Sequence, residues 1–262
     1  MLFPFNPVCQ GKFFPYRRIS KNMISGKRIL EHGKLRHESG ALVPFHMRLL
    51  KQPDMDQMTT LRDEIEASMT EWDLLLPTPD YVLEKGLDDS GMSCGVFTGD
   101  RLVGLRSVYF PRRLDTDHIG KQADIAANEL DSVAELKLSL VAPEYRGNGL
   151  QKRMTAHLFD QIKQRGMLFK YYMAIVSPKN VPSMSEKFSF RMKISKIIIK
   201  NNNYVRFLFT KNMVEHGTVP LQSTVYAKNR DFEFQSDLLQ NGYNGYEMRR
   251  GQANMCDILY AK

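Results

Sequence analysis

The stretch VAPEYRGNGLQKRM, Val141 to Met154, is where residue types and their spacing first point to chemistry. An apolar run, AELKLSLV, precedes it and a helical pattern, LQKRMTAHLFDQIKQ, follows. Gly147, Asn148 and Gly149 therefore fall at a strand–helix junction. The first N–H groups of a helix lack helical partners and sit at the positive end of its dipole, so such a junction can bind phosphate. Glycine lets backbone reach a bulky diphosphate with no side chain between. Glycine also serves turn geometry alone, and the turn taken by itself is more simply read that way. Two phosphate motifs are excluded. No Gly-Lys-Ser/Thr closes the loop, and Lys152 stands where a dinucleotide fold needs its third glycine. Asn148 fits a helix N-cap, and Gln151 stands three residues on, where its amide can reach back to the cap. The rival reading places the Gln151 amide on a ligand phosphate; the cap is preferred, because the turn's own N–H groups already supply donors.

No other cluster competes. The six histidines form no metal constellation, and the three cysteines, Cys9, Cys94 and Cys256, have neither zinc nor disulfide spacing. No metal is expected. The formal charge of +8 favours an anionic partner. Its basic residues are scattered, however, so neither a nucleic-acid arm nor a membrane anchor is expected. No apolar stretch approaches a membrane span, and the first residues have the wrong order for a signal peptide. A cytoplasmic, reducing setting follows.

These groups need elements to hold them. Residues 1–44, rich in aromatic and basic residues, have no clear periodicity. PFHMRLL reads as a strand and QPDMDQMTTLRDEIEASM as a helix, with Met55, Met58, Leu61, Ile65 and Met69 at three- and four-residue steps. PTPDYVLEKGL is a shorter helix. Gly99-Asp100 between apolar runs marks a hairpin. VAELKLSLVA is a strand, and residues 149–165 form an amphipathic helix with Leu150, Met154, Leu158 and Ile162 on one face. LFKYYMAIV is the next strand, SPKNVPSMSEKFSF a loop with a short helix, and ISKIIIK with YVRFLFT a second hairpin. Beyond 213, DFEFQSDLLQ reads as a helix, with strands in NGYNGYEM and MCDILYAK.

LSLVAPEYRGNGLQKRM resembles the central motif of the GNAT N-acetyltransferase superfamily, Arg/Gln-x-x-Gly-x-Gly/Ala between strand and helix, with Arg146 and Gly149 in place. Asn180, Ser183, Lys187 and Phe190 match a later family segment. The resemblance spans about 45–212 and implies an α+β fold with αβα layers around a mixed, splayed sheet. An N-terminal extension at 1–44 and a C-terminal one at 213–262 flank it, and the latter, too short for an independent domain, is expected to pack on the main one. It implies acetyl-CoA as co-substrate and an amine, small molecule or protein, as acceptor. By the resemblance, Leu138, Leu140 and Val141 pair with the coenzyme's arm. Arg146, Gly147, Asn148, Gly149, Leu150 and Gln151, with Lys152 behind, hold the diphosphate, and Asn180 and Ser183 lie on the opposite side.

An amine of pKa about 10.4 must lose a proton before it attacks. Glu135 stands where family members carry the base, and on a two-residue period it shares a face with Lys137, Ser139 and Val141. The alternative is a solvated strand residue. SEKFSF lacks the tyrosine that relatives use to protonate the thiolate; Tyr171 or Tyr172 could substitute, though strand aromatics more often pack. The competing functional class is a non-catalytic module that senses coenzyme A or binds RNA or protein.

Overall fold

The computed structural model describes residues 23–24, 27–69, 74, 77–200, 203–215, 223–251 and 255–262. The chain opens with strands β1 (Met23–Ile24), β2 (Lys27–Arg36) and β3 (Leu42–Leu49), then helices α1 (Met55–Ala67) and α2 (Asp80–Glu84). The hairpin β4 (Gly91–Thr98) and β5 (Arg101–Tyr109) follows, then α3 (Ile119–Gln122), β6 (Val133–Val141), α4 (Leu150–Gln164) and β7 (Tyr171–Val176). After α5 (Val181–Ser189) come β8 (Lys193–Lys200) and β9 (Tyr204–Asn212). The last elements are β10 (Thr224–Lys228), α6 (Phe232–Gln240), β11 (Asn244–Arg250) and β12 (Cys256–Ala261). The strands lie side by side in the order β1-β2-β3-β4-β5-β6-β7-β9-β8-β11-β12-β10.

Strand β2 falls in the segment without clear periodicity, yet it pairs with β3 from Ile29↔Arg48 to Arg36↔Leu42. The sheet thus begins before residue 45, while residues 1–22 lie outside the described residues. At the other end β11 meets β8 at Gly245↔Ile194. A Cβ on Gly245 would lie 3.0 Å from Ile258 and 3.2 Å from Ile194, so glycine lets these strands approach.

Successive strand residues face opposite sides of a sheet. Ser93 and Ser107, whose hydroxyls lie 2.7 Å apart, face Gly86 just beyond α2. Cys94 and Arg106 face the other way, where Cys94 Sγ donates to the Met154 carbonyl of α4 and Arg106 meets Glu186 of α5. Helices therefore cover both faces, an α+β fold. Helix α4 buries Leu150, Met154, Leu158 and Ile162, the predicted face. Each such side chain contributes about 1.5–3 kcal/mol. Helix α1 buries Met58, Leu61 and Ile65.

The sheet is mixed because β6 and β7 run parallel, and this pair positions the site. They pair only through Val133↔Tyr171, Ala134↔Tyr172 and Glu135↔Met173. From Leu136 on, β6 pairs with β5 alone, and from Ala174 on β7 pairs with β9 alone. The two strands splay. A bulge accompanies the divergence: Ser107 opposes Leu138 and Val108 opposes Leu136, so Lys137 has no β5 partner. An extra residue of this kind bends its strand and increases the local twist.

Candidate functional site

The glycine turn has backbone angles that its residues require. Gly147 and Gly149 sit at φ of +82° and +66°, in the left-handed region that other residues avoid. A Cβ at either would point into open space, so strain and not crowding selects glycine. The first helical bond of α4 runs from Arg153 N to Gly149 O, which leaves the N–H groups before it without partners in the helix.

The predicted capping box is not formed. Helix α4 begins at Leu150, and Gly149 occupies the cap position without a side chain to offer. The Asn148 amide is used elsewhere. Its Oδ1 accepts from Arg36 N at 2.9 Å, and its Nδ2 donates to the carbonyls of Arg36 at 2.8 Å and Tyr145 at 2.9 Å. Gln151 therefore has no cap to close. It lies in the first turn of α4 and lines the cleft. Helix α4 is tied to β2 again through Glu31, which accepts from Arg153 at 2.5 Å and lies 3.0 Å from His157 Nε2. Burial would push the Glu31 pKa up, but Arg153 and His157 hold it below the ordinary carboxylate range.

The splay opens a cleft of about 450 Å³ whose walls include Glu135 to Ser139 of β6 and Ile175 and Val176 of β7. A second cleft of about 800 Å³ lies around the glycine turn, and Ser139, Gln151 and Asn180 line both. Every residue expected at the site borders one of these two clefts. Glu135, Leu138 and Ser183 line the first part, Leu140, Val141 and Arg146 to Lys152 the second. Asn180 caps α5, its Oδ1 accepting from Ser183 N at 3.1 Å, so its amide nitrogen is what remains for a ligand.

The two-residue period expected around Glu135 is broken by the bulge. Ser139 pairs with Arg106 and so faces α4, whereas Glu135 pairs with Tyr109 and faces α2. Lys137 reaches Glu135 Oε1 at 3.0 Å. Glu135 is 6% exposed. Burial works against the charge on Lys137, but the Glu135 carboxylate, with Asp117 behind it, holds its pKa above the ordinary lysine range. Neither Tyr171 nor Tyr172 lines the cleft. Tyr171 donates to Glu129 at 2.7 Å, and Tyr172 packs edge-on against Phe159.

Groups the sequence did not single out complete the lining. Tyr109 Oη is buried in the cleft wall and has no hydrogen-bond partner among the described residues. Burial and the neighbouring Glu135 push its pKa far up, so the hydroxyl stays protonated. Arg106, buried, lies 3.3 Å from Glu186, and its Nε likewise lacks a hydrogen-bond partner among the described residues. Glu186 also accepts from Thr155 and Lys187. Burial would raise the Glu186 pKa, but Arg106 and Lys187 hold it low. An arginine in the middle of LVGLRSVYF was the available signal: a charge in an apolar strand needs a partner or a ligand.

Among the described residues no group of three His, Cys, Asp or Glu side chains is placed to hold a metal ion. No helix there is long and apolar enough to cross a membrane.

No family model and no curated protein sequence matches the chain. Solved structures with a similar chain path include an N-acetyltransferase from Staphylococcus aureus Mu50, 12% identical, covering 64% of this chain and 98% of that one at a TM-score of 0.49. The ribosomal-protein-S18-alanine N-acetyltransferase from Escherichia coli is 11% identical, with 66% and 96% covered and a TM-score of 0.48. The PaiA N-acetyltransferase from Thermoplasma acidophilum in complex with coenzyme A is 15% identical, with 64% and 98% covered and a TM-score of 0.40.

Proposed function

We propose that the protein transfers an acetyl group from acetyl-CoA to an amine by direct attack. The observation that carries this reading is the adjacency of two clefts: the parallel strands part at Leu136, and the cleft beside them shares Ser139, Gln151 and Asn180 with the one at the glycine turn of α4. Two features fit a diphosphate with a polar arm. The freed edge of β6 offers unpaired backbone groups, which a buried strand edge must satisfy. The turn offers N–H donors at a helix N-terminus with open space before Gly147 and Gly149.

In this reading the backbone of Leu138, Leu140 and Val141 holds the arm, with Asn180 and Ser183 across the gap. The turn from Arg146 to Gln151 holds the diphosphate, and Lys152 adds charge beside it. Acetyl-CoA supplies the activated acyl group and a thiol of pKa about 8.5, which leaves without a strong acid. Glu135 accepts the proton that the amine loses. Lys137 keeps its carboxylate oriented from the bulge. The free, buried thiols of Cys94 and Cys256 suit a reducing, cytoplasmic setting.

Titration calorimetry with coenzyme A, followed by release of free thiol from acetyl-CoA in the presence of an amine panel, tests the reading. Absence of coenzyme A binding overturns it. Binding without thiol release from any amine class favours a sensing module instead.

A further inference from the structure

The part of the cleft nearest α2 carries charges of both signs, and their pairing is unequal. Glu135 is taken by Lys137. Lys200, which also borders the cleft, forms no ion pair within 4 Å among the described residues, and the exposed Asp117 at the rim acts on it only from farther off. Burial and then the Lys137 charge hold the Lys200 pKa below the ordinary lysine range, and Glu135 and Asp117 offset them only in part. Two ammonium groups thus face one space with a single buried carboxylate between them. A further cation, Lys85, lies over the Tyr81 ring and borders the same cleft.

A buried hydroxyl points to the same place. Tyr109 is 5% exposed, opposes Glu135 in the strand register and has no partner for its Oη among the described residues. Leaving a buried polar group unmade is costly, so this oxygen is poised for a group that enters with the ligand.

We propose that the acceptor is a small amine bearing its own carboxylate, a free amino acid, seated with its amine toward Glu135 and Asp117 and its carboxylate toward Lys200 and Tyr109. The inference rests on the acetyl-transfer reading. Such a zwitterion gives Lys200 an anionic partner and the Tyr109 hydroxyl an acceptor, while its amine meets the carboxylates at the other end. A polyamine would set a second positive charge against Lys85, Lys137 and Lys200. A peptide N-terminus would bring no carboxylate at the distance of one carbon, and its chain would have to leave past Lys200.

The test compares binding to the full chain, with and without coenzyme A, of L-amino acids from each side-chain class, their carboxamides and spermidine. Saturation-transfer NMR and calorimetry supply the readout. At least one amino acid should bind roughly 10- to 100-fold tighter than its carboxamide, the value of a charge-assisted hydrogen bond. Lys200→Met should bring that ratio close to one while coenzyme A affinity and melting temperature stay as in the wild type. Equal binding of acid and carboxamide, stronger binding of spermidine, or a ratio that survives Lys200→Met would overturn the proposal. If coenzyme A fails to bind but the Lys200-dependent preference persists, the amino-acid site stands and acetyl transfer falls. If coenzyme A binds, thiol is released to another amine class and no preference is found, acetyl transfer stands and this site falls.

Discussion

Lys187 offers the sharpest physical test of the charged cluster beneath the cleft. It is 1% exposed, donates to Glu186 and shares that carboxylate with Arg106. Burial, reinforced by the Arg106 charge and opposed by Glu186, lowers its pKa to about 8. Below that pH the lysine is protonated in folded and unfolded chains alike. Between about 8 and its ordinary value near 10.5 only the unfolded chain keeps the proton. Stability rises with pH wherever the unfolded state binds more protons, so Lys187 should add stability across this window. At about 1.36 kcal/mol per pH unit, the interval amounts to roughly 3 kcal/mol. Urea unfolding of the wild type and Lys187→Met at several pH values from 7.5 to 10.5 isolates the effect. Methionine keeps the length of the side chain and removes the titration. Buried tyrosines such as Tyr109 lose stability over the same range, but they do so in both proteins and cancel. The wild-type-minus-variant stability should climb by roughly 3 kcal/mol from end to end. A flat difference would refute the reasoning, whatever the absolute stability of the variant.

Other expectations follow from the site. Glu135→Gln should lower amine-dependent thiol release by roughly 10²–10⁴ with coenzyme A affinity unchanged; unaltered turnover would leave Glu135 as no more than the partner of Lys137. Gly149→Ala should cost about 1–2 kcal/mol in a melting experiment through its left-handed backbone, and should weaken coenzyme A binding as well. Tolerance of alanine on both counts would remove the turn from the site. Asn148→Ala should destabilise the protein by about 1–3 kcal/mol through loss of its bonds to Arg36 and Tyr145, a loss that calorimetry of the ligand-free protein would register.

The elements around the site were legible because their periodicity is strong. Leu150, Met154, Leu158 and Ile162 announce α4, and Gly99-Asp100 announces the hairpin of β4 and β5. Strand β2 was not legible, since KRILEHGKLR is polar at most positions and gains its place by pairing with β3. The bulge at Lys137 left no local mark either. One unpaired residue shifts the faces of its strand, and only the register with β5 reveals it. Asn148 misled for a physical reason: an asparagine before a helix suits a cap, but its amide found both backbone groups of a distant residue. Tyr109 and Lys200 were invisible as site residues because their meaning lies in what surrounds them.

The Asn148 amide takes both the N–H and the carbonyl of Arg36, as the edge of another strand would. Nearby, Glu38 N donates to the Glu144 carbonyl, and Glu31 is bound by Arg153 and His157. The glycine turn of α4 and strand β2 are thus one mechanical unit. Whatever steadies the turn steadies β2, and linkage makes the dependence mutual. A ligand at α4 should slow hydrogen exchange of the Arg36 amide, far along the chain from the turn itself. Any truncation or partner that unzips β2 from β3 would, by the same coupling, release the ligand.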